Sequence, residues 1–356
     1  MALNPSGVMS IGGTTVGASI NLELGLSATA NSSIGQTNFR ELAKVLTGAI
    51  SLSDFYGKSN VTTIDINANH SQYILSPAVV PDYVAGETKV QLNIGTDVYL
   101  FSTDTNSPAL LVEGFVSGDE VTIVNNGYII GKGGDGGTIT TTQPATLGQP
   151  GGAGISTAFN LTVVNNRYIA GGGGGGSVGF DYGGGGGGAG GGKGGDTLGL
   201  PQFTPGGAGG APGVAGGDGS PFMQGGIAYQ PGSGGGGGRI IPGVGGAGGG
   251  GPSGGDDAES EGKGGGAGGG GGFSYEEPDR GGRGGNGGTA NLAGQGTEFM
   301  DPDFGSSGSG GGGWGASGGT SYTRSNFLGG PGGKAIALNG NTVTRSGPGF
   351  YYGAIS

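Results

Sequence analysis

GGGGGGSVGFDYGGGGGGAGGGKGGD, residues 171–196, holds eighteen glycines in twenty-six positions. A stretch with so few side chains cannot close a hydrophobic core, so any order in it must come from its backbone. The whole chain has 356 residues and 100 glycines, and about three quarters of those glycines fall between Gly171 and Gly333. Residues 1–170 are instead rich in Val, Ile, Leu and Thr and carry the patterns of ordinary secondary structure.

Glycine-rich composition by itself describes a flexible linker, because glycine loses more freedom on ordering than any other residue. The spacing argues otherwise. RGGRGGNGGT (280–289) puts a non-glycine residue at every third position, and the same interval separates Lys132, Asp135 and Thr138, Ala208 and Ala211, and Lys193 and Asp196. A coil needs no period. Three residues per turn is the repeat of the polyproline II helix, whose backbone groups point outward and can be paired only by neighbouring chains. Glycine lets such helices approach closely enough to bond, with Cα–H···O contacts as a weaker addition. Ordering a residue costs about 1–2 kcal/mol and a net hydrogen bond returns about 1, so inner helices must be paired on several sides. The expectation is a compact bundle of antiparallel polyglycine II helices. Collagen is excluded: its strict Gly-X-Y register and abundant proline are absent, and the chain has 17 prolines.

In such a bundle the reversals fall on the non-glycine interruptions at 177–182, 197–205, 220–231, 239–242, 273–280, 297–304, around Trp314, and 321–328. These carry most of the region's bulky side chains. Clustered exposed aromatics mark contact surfaces, because rigid amphipathic rings give area at low entropic cost; capping of the bundle ends is the plainer use. The candidate binding residues are Phe180, Tyr182, Phe203, Phe222, Tyr229, Phe273, Tyr275, Phe299, Phe304, Trp314, Tyr322 and Phe327.

Outside the glycine region, residues 19–48 read as helical, with Asn38 as N-cap, Glu41 three positions on, and Phe39, Leu42, Ala43 and Leu46 on one face. SLSDFYGKS (51–59) reads as a docking loop. From Val61 to Ile130 short strands such as VTTIDI, KVQLNI and VTIV alternate with Pro, Gly, Asn and Asp, which reads as an antiparallel β domain. VTIVNNGYIIGKGGDGG (121–137) recurs as LTVVNNRYIAGGGGGG (161–176) forty positions later, each copy a strand that runs into glycine. KAIALNGNTV (334–343) adds a strand after the last glycine tract. The fold class is therefore mostly β and irregular: a small α segment, a β adaptor, then the glycine bundle.

Several functions are excluded or disfavoured. A net charge of −11 with scattered cations gives no footprint for nucleic acid. No apolar run reaches the ~20 residues of a bilayer span, and MALNPSGVMS lacks the features of a secretory signal, so synthesis in the cytoplasm without membrane insertion is expected. There is no cysteine, and the one histidine, His70, gives catalytic triads nothing to build on. Asp65, Asn67 and Asn69 alternate as at the start of a calcium loop, but His70 and Ser76 stand where glycine and glutamate belong. GKGGDG (131–136) fits a nucleotide-loop pattern only as glycine-rich sequence fits it by chance. No metal, cofactor or catalytic residue is expected. The carboxylates of DDAESE (256–261), YEEPD (275–279) and MDPDF (300–304) leave glycoside hydrolysis by paired acids as the enzymatic alternative, with solvated loop charge as the simpler reading. Ice binding is a second alternative, which the uneven, bulky interruptions disfavour.

ASINLELGL (18–26) and AISLSDFYGKSN (49–60) resemble the N-terminal segments of phage tail fibre proteins. The two repeat copies, GGPGGKAIALNGNTV (329–343) and YGAIS (352–356) are similar to the glycine-rich adhesin tips of tailed bacteriophages. That resemblance implies a virion protein that binds a bacterial surface receptor, either an outer-membrane protein or a polysaccharide, through loops between polyglycine II helices. Residues 1–60 would attach to other tail or baseplate proteins, 61–170 form the adaptor, 171–333 bind the receptor and 334–356 close the fold. It implies a homotrimer or a monomeric tip. A non-adhesive structural tail protein is the remaining alternative.

Overall fold

The computed structural model describes residues 2–138, 146–178, 186–188, 191–195, 206–210, 309–320 and 328–356, with the backbone of four short strands between 197 and 228. The chain divides into two compact units. The first is Met1–Asp65 with Pro77–Asn93 and Phe115–Thr122, and the second is Ile66–Ser76 with Ile94–Gly114 and Ile123–Ser356.

In the first unit, helices α1 (Ile20–Glu23) and α2 (Thr37–Ala43) are short. The Ser19 hydroxyl accepts from the Leu22 amide at 3.4 Å and starts α1. Gln36, not Asn38, holds the N-cap position of α2, and no side chain caps it. Lys44 in the left-handed region (φ 59°) ends the helix, so Leu46 stands 70% exposed rather than continuing the apolar face. Phe39, Leu42 and Ala43 do share one face, and they pack with Leu3, Met9, Ile20 and Phe55 into a core. Residues 52–55 form a 3₁₀ turn, begun by the Ser51 amide donating to the Asp54 carboxylate at 2.7 Å. Phe55 is fully buried edge-on to Phe39, with centroids 6.1 Å apart. The expected docking loop thus supplies a core residue.

The strands are β1 (Thr62–Ile66), β2 (His70–Ser71), β3 (Tyr73–Leu75), β4 (Lys89–Ile94), β5 (Tyr99–Phe101), β6 (Leu110–Val112), β7 (Glu120–Asn125), β8 (Tyr128–Ile130), β9 (Ile155–Thr157), β10 (Leu161–Asn165) and β11 (Tyr168–Ala170). After them come β12 (Thr197–Gly199), β13 (Gln202–Thr204), β14 (Met223–Gln224), β15 (Ile227–Ala228), β16 (Ile336–Ala337), β17 (Val343–Ser346) and β18 (Phe350–Tyr352). The three larger sheets have the orders β1-β4-β7-β10-β17, β18-β11-β8-β5-β2 and β16-β9-β6-β3. Neighbours lie three strands apart in sequence until the last rung.

That step of three means the chain winds in coils, and each strand pairs in parallel with its counterpart one coil on. The expected antiparallel domain is therefore corrected to parallel sheets. The reason lies at the corners. Asn125 Oδ1 accepts from the Gly127 amide (3.1 Å) and Asn165 Oδ1 from the Arg167 amide (3.2 Å), so an Asx-type turn bends the chain without folding it back on itself. The forty-residue repeat is one such coil: Tyr128, Ile129 and Ile130 pair with Tyr168, Ile169 and Ala170. Asn125 Nδ2 donates to Asn165 Oδ1 at 2.8 Å, and both residues are fully buried. Leu100, Ile129 and Ile169 stack on the inside, each 0% exposed. The C-terminal strands return after the glycine region, β16 on β9, β17 on β10 and β18 on β11, all parallel.

Candidate functional site

From β8, β11 and the segment before β16 the second unit passes into glycine tracts that bond to one another. Along Ala170–Ser177 every carbonyl accepts from a neighbouring tract, in threes. Gly171, Gly174 and Ser177 accept from Gly315, Gly312 and Ser309; Gly172 and Gly175 from Gly333 and Gly330; Ala170, Gly173 and Gly176 from Gly131, Gly134 and Gly137. The donors repeat likewise, Gly172 and Gly175 to Gly152 and Gln149, Gly174 and Ser177 to Ala316 and Gly319. Rising and falling partner numbers show that neighbours run in both directions, where the sequence suggested antiparallel packing alone.

The third direction at each residue is Cα, and there the packing leaves no room for a side chain. A Cβ on Gly171 or Gly174 would stand 2.1 or 1.8 Å from the carbonyl oxygens of Gly333 and Gly330. One on Gly172 or Gly175 would stand 1.9 Å from those of Lys132 and Asp135, and one on Gly173 or Gly176 2.0 Å from those of Gly312 and Ser309. None of these six glycines has φ in the left-handed region. They are needed for space, not for conformational freedom. Ser177 and Ser309, both 0% exposed, fit by bonding to each other at 3.0 Å. At the rim, Lys193 N donates to the Asp135 carboxylate (2.8 Å) and Lys132 Nζ to the Gly191 carbonyl.

Of the twelve aromatic candidates, Phe180, Tyr182, Phe222, Tyr229, Phe273, Tyr275, Phe299, Phe304, Tyr322 and Phe327 lie outside the described residues. Phe203 lies on β13, which pairs antiparallel with β12 so that Leu198 stands opposite Phe203. β14 and β15 pair in the same sense, Met223 with Ala228 and Gln224 with Ile227. Two of the interruptions therefore contain hairpins, with Leu200 and Pro201 between the first pair of strands and Gly225 and Gly226 between the second. Trp314 is corrected: at 1% exposure it presents no contact surface. It packs edge-on against Tyr352 (4.8 Å) and Tyr168 (5.9 Å), sealing the junction between the glycine tracts and the last sheet.

Sequence reasoning missed the ladder that Trp314 seals. Tyr99, Tyr128, Tyr168 and Phe350 occupy equivalent positions on β5, β8, β11 and β18. Their rings stack at 4.4, 5.7 and 5.7 Å with interplanar angles of 8°, 12° and 18°. The Arg167 guanidinium lies over Tyr128 and Tyr168 at 5.6 and 5.8 Å. The forty-residue interval between Tyr128 and Tyr168 was the available signal. It predicts stacking once each copy is assigned to a parallel coil.

Among the described residues, Asp119 and Tyr83 form a polar cluster that serves the fold. Asp119, 7% exposed, accepts from Tyr83 Oη (2.6 Å) and from the amides of Gly86 (2.9 Å), Val116 (2.9 Å) and Thr88 (3.2 Å). The hydrogen bond to this carboxylate pushes the Tyr83 phenol up to about 12. Burial alone would raise the Asp119 carboxyl, but the Tyr83 hydroxyl and the three amides outweigh it and hold it below the usual range. Asp65 accepts from Asn93 Nδ2 (2.8 Å) and Asn69 from the Tyr99 amide (2.9 Å), while exposed His70 stands edge-on to Tyr73. Among the described residues no group of three His, Cys, Asp or Glu side chains could hold a metal. The acidic clusters at 256–261, 275–279 and 300–304 lie outside them.

Residues 60–246, just over half the chain, match the family model of the phage tail fibre adhesin Gp38. A crystal structure of the gp37-gp38 adhesin tip complex of the bacteriophage S16 long tail fibre matches with a TM-score of 0.43 and 19% identity, over 98% of this chain and 100% of that one. No curated protein matches the chain.

Proposed function

The chain belongs to the phage tail fibre adhesin Gp38 family, and from that premise we propose how its parts divide the work of attachment. It is a receptor-binding adhesin of the virion tail. The observation that carries the further reading is the three-residue period of hydrogen bonds around Ala170–Ser177. That period supports polyglycine II helices, bundled as a scaffold without side chains, which displays the interruptions to a bacterial outer-membrane protein or polysaccharide. Residues 1–60 attach to other tail proteins, 61–170 are the adaptor, 171–333 bind the receptor and 334–356 close the fold. The tip assembles as a homotrimer or stands as a monomer; in either case a single copy pairs the tract at 171–177 within its own polypeptide. Binding is its whole activity, without a catalytic step.

The binding residues we propose are the candidates other than Trp314, beginning with Phe203, whose backbone lies on β13. Pairing of strands orders the backbone that carries a contact residue and lowers the ordering cost of recognition. Replacing the aromatics of one interruption with serine, beginning with Phe203→Ser, is expected to slow phage adsorption at least tenfold while the melting temperature stays unchanged. Unchanged adsorption for every interruption in turn would refute the assignment.

A further inference from the structure

All three large sheets end at the same rung, with β16, β17 and β18 as their last strands. An open end of parallel strands exposes unpaired amides and carbonyls and is a template for another chain. We propose that the C-terminal rung is a built-in stop, closed by Arg345, Tyr351 and the last three residues, that keeps a second copy of this chain from pairing onto the coil end.

The register shows what each inward column would need in order to continue. Val163, 0% exposed, stands opposite Arg345. Side chains at paired positions point to the same face, so a charge follows valine in the core column. The column Leu100, Ile129, Ile169 is followed by Tyr351. The Arg345 guanidinium lies 5.5 Å from the centroid of the Tyr351 ring, which covers the aliphatic column with a cation and an aromatic plate. A strand arriving at this edge would have to bury that guanidinium without supplying an anion, which burial of an unpaired charge disfavours.

The other lines of approach are closed differently. In the third sheet, Leu110, Ile155 and Ile336 form an inward column, all 0% exposed. The chain's own end covers it: Ile355 bridges Ile336, Ser356 N donates to the Ile336 carbonyl (3.2 Å) and Leu338 N to the Ser356 carbonyl (3.0 Å). The asparagine ladder is also broken off. Gly347 and Gly349 lie against Asn165 where a Cβ would come within 2.3 Å of its carbonyl oxygen and 2.6 Å of its Cγ. Asn165 Nδ2, instead of meeting another asparagine, donates to the Phe350 carbonyl at 3.0 Å. The devices differ from sheet to sheet, and every one of them prevents the rung from repeating.

The test is the solution mass of the full chain, by sedimentation equilibrium over a wide concentration range. Arg345→Val and Tyr351→Ile restore the residues of the preceding coil at both positions. The double variant is expected to associate in a concentration-dependent way with its far-ultraviolet spectrum unchanged, while the parent chain and Arg345→Lys keep one mass. A double variant that stays at the parent mass overturns the proposal, and so does association of Arg345→Lys, because the retained charge should hold the edge shut. If the double variant yields no folded protein, Arg345→Gln decides in the same way: association supports the stop and an unchanged mass refutes it.

Discussion

A glycine can be required for two unrelated reasons, and this chain separates them. Gly48 has φ +84° with nothing near its missing Cβ, so alanine there would carry only the left-handed penalty, about 1 kcal/mol. Gly172 has ordinary φ, but its Cβ would lie 1.9 Å from the Lys132 carbonyl oxygen, and backbone on backbone cannot give way. Gly172→Ala is therefore expected to cost about 3 kcal/mol or more, and Gly48→Ala about a third of that, by urea unfolding. At Asp119 the residue scale is set by charge. Its folded pKa is depressed, so the stability it supplies is present above its unfolded value and lost as pH falls through the folded one. The phenol of Tyr83 is raised, from 10.0 to about 12, so its share is complete below pH 10 and is lost as pH rises towards 12. Asp119→Asn keeps much of the shape but cannot accept from all four donors. It should lower stability by about 2 kcal/mol at neutral pH and flatten the pH dependence at both ends. A parallel-shifted pH profile would show that the cluster does not carry it.

At the scale of elements, the repeat was legible and its meaning was not. VTIVNN and LTVVNN are strands in sequence and in structure, and the forty-residue interval is the coil length. Alternation of short strands with Asn and Gly fits hairpins and coils equally, because local pattern fixes which residues face inward and leaves the partner open. Phe39, Leu42 and Ala43 were placed on the right face, whereas the helix end at Lys44 depended on a left-handed turn that no residue type announces there. Among the aromatics, composition showed which segments were bulky and could not tell a contact residue from a plug. Trp314 is the plug, and among the described residues its Nε1 has no hydrogen-bond partner. Trp314→Phe thus removes an unsatisfied donor along with some volume and should change stability by less than about 1 kcal/mol, whereas Trp314→Ala should cost about 3–5. Tyr168→Ala interrupts the ladder between Tyr128 and Phe350 and takes one wall from Trp314. Its expected cost is about 3 kcal/mol, accompanied by a red shift in the emission of the chain's single tryptophan. Unaltered emission would mean that Tyr352 and the glycine tracts hold Trp314 without Tyr168.

At the scale of the whole molecule, the second unit joins two means of cohesion that calorimetry can tell apart. The coils bury aliphatic columns in the usual way, and the described glycine tracts are held by amide-to-carbonyl bonds between backbones with almost no apolar area. Heat capacity on unfolding follows apolar exposure and is offset by polar exposure, so a chain of 356 residues with an ordinary core would give about 4–5 kcal/mol/K. This protein should fall well below that figure, because unfolding its tracts exposes peptide groups in place of hydrocarbon. A low value alone would also result if the tracts were unordered from the start, so the amides must be read with it. Those of Gly172, Gly174, Gly175 and Ser177 donate to neighbouring tracts and should exchange with deuterium only as slowly as the amides of β8 and β11, through opening of the same cooperative unit. Slow exchange with a small heat capacity increment is the combination that backbone cohesion requires. Fast exchange in the tracts, or an increment of ordinary size, would mean that side chains hold the molecule together after all.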